Sequence, residues 1–126
     1  MAYRVSKQAF GELVERALTG LPPDFAQFLE EVPIEVRDRP GTAQLKKLGM
    51  RGDELLLGLY QGRPRTQRSV EDSGRLPDVI CIFQEPIELV SESEQQLLDQ
   101  VRKTVLHEIG HHFGMSEEDL DRLGYG

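Results

Sequence analysis

At 126 residues, with 38% hydrophobic and 29% charged residues, the chain has the makeup of one globular domain, not of a disordered or membrane-embedded one. A net charge of −7 removes the positive field that general nucleic-acid binding requires. No apolar run approaches the roughly 18 residues of a membrane span, the start Met1 to Gln8 lacks a signal peptide's apolar core, and the single Cys81 excludes an internal disulfide, which together suit a reducing cytoplasm.

Ser6 reads as the cap of a first helix running from Lys7 to about Leu18, with Phe10, Leu13, Val14, Ala17 and Leu18 forming one buried stripe. Gly20 and Pro22-Pro23 break it, and Phe25, Phe28 and Leu29 mark a second short helix that Pro33 terminates. Pro33 to Asp38 alternates apolar and charged residues, the period of a half-exposed strand. Between Thr42 and Gly52, Leu45 and Leu48 suit a single helical turn. Leu55 to Tyr60 reads as a more buried strand, and Gln61 to Pro77 as a long polar loop. Arg63, Arg65 and Arg68 in that loop read as solvated side chains, or else as a basic lip for acidic groups.

Val79 to Phe83 is a strand apolar on both faces, in which Cys81 behaves as a small buried hydrophobe. Ser91 or Ser93 caps the next helix, with Glu94 or Gln96 as the reciprocal partner; it runs to about Phe113 and stops at Gly114. Ser116 caps a last short helix through Leu123. The expected order is two helices, a strand, a helical turn, two strands and two helices: one α+β domain over residues 1–126.

The chemistry concentrates in His107-Glu108-Ile109-Gly110-His111-His112-Phe113-Gly114. A helix advances roughly 100° per residue, so His107 and His111 lie one turn apart on one face and present two imidazoles to one ion. Glu108, offset by one position, stands where a base for an attacking water is needed. On the helical wheel Leu97, Leu98, Val101, Val105, Leu106, Ile109 and Phe113 fill an apolar sector, while Gln100, Thr104, His107 and His111 form the adjoining polar edge. His112 falls on the apolar side and reads as a packing residue.

Catalytic zinc takes three protein ligands and leaves a position open. A turn at Gly114 would fold Glu117 back over the metal, with Glu118, Asp119, an upstream carboxylate or no third protein ligand as alternatives; in the plainer reading this acidic group supports a helix N-terminus. Tyr125 is a weaker candidate donor to an oxyanion.

The segment HEIGHHFG resembles the zincin metallopeptidases, and within them a family of short bacterial zincin-like proteins. Leu56 to Gly62, Leu76 to Ile80 and the ending Asp119 to Tyr125 resemble the same family. The resemblance implies a minimal zincin-like fold, with a small mixed sheet of about three to four strands packed on helices that include the active-site helix. It also implies Zn2+ as cofactor, His107, His111 and Glu117 as its ligands, and Glu108 as the catalytic base. Met115 precedes Glu117, so the downstream methionine turn of strict metzincins is missing.

The expected activity is metal-assisted hydrolysis of a peptide or protein substrate, with no nucleic-acid or membrane partner; the oligomeric state is left open. If Val79–Phe83 lies at a sheet edge beside the helix, it receives an extended peptide by strand addition. The alternative from another class is a catalytically silent metal-binding module that recruits a partner, in which a fourth side chain would cap the metal. Hydrolysis of RNA is disfavoured by the acidic balance.

Overall fold

The computed structural model describes residues 2–50, 55–61, 78–112 and position 118; of Asp24, Glu31, His111 and His112 it describes the backbone only. Helix α1 (Lys7–Thr19) begins where Ser6 Oγ accepts the Ala9 N–H at 3.1 Å. Its inward stripe is Phe10, Leu13, Val14 and Ala17, all buried, each large side chain contributing about 1.5–3 kcal/mol of apolar burial. Helix α2 (Pro23–Glu31) opens on a proline at its first turn, where no N–H is needed, and ends against buried Val32.

Three strands follow with one short helix among them: β1 (Ile34–Arg37), α3 (Thr42–Lys47), β2 (Gly58–Gln61) and β3 (Val79–Phe83). The order in the sheet is β1-β3-β2, with β1 parallel and β2 antiparallel to β3. Strand β3 is therefore central, and the expectation that it offers an edge to a peptide is corrected. The reason is in its residues: a strand apolar on both faces is paired on both sides and covered above and below. Ile80 and Ile82 face the helical core, and Cys81 and Phe83 face the other way; all four are fully buried. Burial pushes the Cys81 thiol up, with the neighbouring Arg37 opposing, so this cysteine stays protonated and unreactive.

After β3 the chain forms α4 (Gln84–Leu89), a six-residue helix that sequence reading missed, and then α5 (Glu94–His112). Pro86 does not prevent α4, since it sits in the first turn. Gln84 and Glu88 are buried on α4 and hold the N-terminal arm: Val5 N–H donates to Glu88 Oε2 at 2.8 Å, and Gln84 Nε2 donates to Val5 O at 3.0 Å. Of the two proposed caps of α5, Ser93 performs the role, its Oγ accepting the Gln96 N–H at 3.1 Å. Gln96 Oε1 reaches back to the Glu92 N–H at 2.8 Å.

Helix α5 lies across the sheet face beside β2 and β3 and against α1 and α4. Leu97, Val101, Val105, Leu106 and Ile109 are fully buried, as its apolar sector predicts. Arg102 links α5 to α1 by donating to Ala17 O at 3.3 Å, at the carbonyl end of α1. The molecule is thus α+β, a small mixed sheet with helices packed on it. No described helix is long and apolar enough to cross a membrane. The expected last helix, Glu118 apart, and the loop from 62 to 77, with Arg63, Arg65 and Arg68, lie outside the described residues.

Candidate active site

The polar edge of α5 forms one wall of a cleft of about 350 Å³ lined by Gln100, Lys103, Thr104, His107 and Glu108, with Leu57 and Gly58 opposite. His107 is half-buried, and its Nε2 is closed off from solvent. Glu108 is also half-buried, so the helix brings imidazole and carboxylate into the same opening. The helix continues to His112, which sets the His111 backbone one turn beyond His107 on the same face.

Strand β2 approaches α5 closely because position 58 has no side chain. A Cβ built there would stand 2.6 Å from Thr104 Cγ2, 3.2 Å from Cys81 O and 3.7 Å from Glu108 Cγ. Thr104 cannot readily turn away, since its Oγ1 donates to Gln100 O at 2.8 Å. Gly58→Ala is expected to lower stability by about 1–3 kcal/mol through overpacking. Adding Thr104→Ser, which deletes the obstructing methyl, should recover much of that loss. Denaturant midpoints across the double-mutant cycle measure it, and simple additivity would remove the contact from the explanation.

The register of β2 also fixes which backbone groups face outward. Phe83 N–H donates to Leu57 O at 2.9 Å, and Gly58 pairs with Ile82. In an antiparallel ladder bonded and non-bonded pairs alternate, so Gly58 and Tyr60 turn their N–H and C=O groups away from β3. No other described strand pairs with that side of β2. An extended peptide added there would pass the cleft that holds His107 and Glu108.

Two of these positions were not singled out from sequence. Gly58 interrupts an apolar strand run, the usual sign of close backbone approach. Lys103 lies four residues before His107 and belongs to the same helical face. Among the candidates named from sequence, Glu117 and Asp119 lie outside the described residues, as do Tyr125 and the turn at Gly114; Glu118 is exposed. Among the described residues no three His, Cys, Asp or Glu side chains gather as a metal cage. The donor set still suits zinc: an imidazole on a packed helix, a second histidine one turn on, and a carboxylate beside them.

A larger cavity, about 850 Å³, lies on the opposite face of the sheet between α3 and residues such as Arg37, Leu59 and Val79. It contains none of the histidine-helix residues, so the chemistry is assigned to the smaller cleft.

Comparison with known proteins bears on the family and the fold. The sequence model described as "Zincin-like metallopeptidase" matches residues 29–126. A solved structure described as a "Conserved hypothetical protein" from "Thermo thermophilus" is 25% identical, with a TM-score of 0.57, over 86% of this chain and 94% of that one. No curated protein matches the chain.

Proposed function

From the premise that this chain belongs to the zincin-like metallopeptidase family, we propose that it is a zinc-dependent hydrolase that cleaves peptide bonds. The observation that carries this reading is the shared cleft: His107 and Glu108 stand on one wall and the outward-facing edge of β2 on the other. Members of this family typically bind zinc. His107 and His111 would hold the ion, with Glu117 as the third ligand.

When bound, zinc supplies Lewis acidity at this point in the cleft. The chain's own groups do the rest. The Gly58 and Tyr60 backbone groups align the peptide as an added strand. Glu108 accepts a proton from the attacking water as its oxygen bonds to the scissile carbonyl carbon. It then returns that proton to the amine nitrogen as the C–N bond breaks. The core packing of α5 through Val105, Leu106 and Ile109 holds His107 and Glu108 in fixed orientation while these transfers occur.

The test loads the purified chain with zinc, counts bound metal by native mass spectrometry and follows cleavage of internally quenched peptides. One zinc per chain is expected, with cleavage that a chelator abolishes and added zinc restores. Stoichiometric zinc without cleavage of any peptide would instead favour the partner-recruiting module.

A further inference from the structure

Lys103 is the one cationic residue lining the His107 cleft among the described residues. It is exposed and stands one turn before His107, about 6 Å along the helix axis. Several other described cations are engaged in ion pairs: Lys7 with Asp38, Arg16 with Glu94, Arg37 with Glu35, Arg39 with Glu85 and Arg102 with Asp99. Lys103 makes none among the described residues, although it belongs to a chain of net charge −7. Its wall neighbours are occupied with each other, Gln100 Nε2 donating to Thr104 Oγ1 at 3.4 Å and Thr104 Oγ1 to Gln100 O. The ammonium is thus the positive charge that this wall, which also carries the Glu108 carboxylate, offers a ligand.

We propose that Lys103 determines specificity by receiving a carboxylate of the peptide, so that the hydrolase prefers substrates with an acidic group near the reacting bond. This rests on reading the cleft as a peptidase site. Side chains on a helix lean toward its N-terminus, and the lysine chain, longer than the histidine's, carries its ammonium further that way than the His107 ring reaches. An extended peptide advances about 3.4 Å per residue, so the carboxylate falls about two to three residues from the bond that breaks. It belongs either to an Asp or Glu side chain or to the substrate's own C-terminus.

The experiment separates binding from turnover. Zinc-loaded Glu108→Gln protein, inactive in the proposed mechanism, is titrated with labelled peptides of one sequence. They carry Glu, Gln or Lys at scanned positions, each with a free or an amidated C-terminus. Binding is read by fluorescence anisotropy with Lys103 intact, as Lys103→Met and as Lys103→Glu. With Lys103 the carboxylate peptides should bind about two- to fivefold tighter, the range of an exposed ion pair. The preference should vanish in Lys103→Met, reverse toward the Lys peptide in Lys103→Glu, and shrink with added salt. Dependence on Glu against Gln identifies a side-chain carboxylate, and dependence on amidation identifies the terminus. Equal affinities across all three proteins, or no binding of any peptide, would overturn the proposal. Cleavage by the unaltered protein is followed on the same peptides: cleavage without acidic preference removes the role of Lys103 and keeps the hydrolase. Charge-reversible binding without any cleavage keeps the Lys103 contact and removes the hydrolase.

Discussion

Replacing Glu108 by Gln is expected to leave one zinc bound per chain while lowering kcat by about 10²–10⁴-fold, the usual contribution of a positioned general base. The two side chains have nearly the same shape, and Glu108 Cγ faces position 58, 3.7 Å from where a Cβ would stand there, so packing between helix and strand is preserved. What changes is proton affinity: an amide oxygen cannot take up the water's proton at neutral pH. Because the lost interaction belongs to the transition state, kcat and kcat/KM should fall together while KM stays near its original value. Glu108→Asp should be intermediate, since it keeps the carboxylate but withdraws it by one methylene. Metal content and far-UV circular dichroism check that fold and site persist. If turnover survives in Glu108→Gln with zinc in place, Glu108 is not the base and the proton route must be reassigned.

The elements with strong periodicity and a capping residue were legible in the sequence. Helix α1 is bounded by Ser6 and Gly20 and buries Phe10, Leu13, Val14 and Ala17 of its stripe; α5 carries its apolar sector as expected and is capped by Ser93. Strand β3 was legible in extent, but its position was not drawn from its composition, although side chains buried on both faces are what a central strand requires. Helix α4 was missed because its buried positions include Gln84 and Glu88, polar residues that a hydrophobic pattern assigns to the surface. Their burial depends on the N-terminal arm reaching them from over 75 residues away in sequence, a tertiary partnership that no local window contains. Helical spacing likewise identified the His107–Glu108 wall of the site, while the opposite wall at Gly58 depends on strand pairing between distant segments.

His107→Ala is expected to weaken zinc binding by more than about 100-fold, since altering even the groups that orient a metal ligand costs about 10–100-fold. His111→Ala should have a comparable effect, and the double variant should add little, because a site reduced to one imidazole has already lost its convergent pair. The informative control is His112→Ala. On a continuous helix, position 112 lies roughly 140° around the axis from position 107, whereas position 111 lies roughly 40° away. A histidine so far around cannot share an ion with His107 without unwinding the helix, so His112→Ala should retain zinc affinity. Competition against a chromogenic chelator reads all four variants, and thermal denaturation gives a second readout. Zinc that binds only the folded chain raises Tm as the logarithm of its free concentration over the dissociation constant, and that rise should disappear in His107→Ala and His111→Ala but persist in His112→Ala. Were His112→Ala the variant that lost zinc, the ion would belong to a different face of α5, and the cleft containing Glu108 and Gly58 would no longer be the place where a peptide meets it.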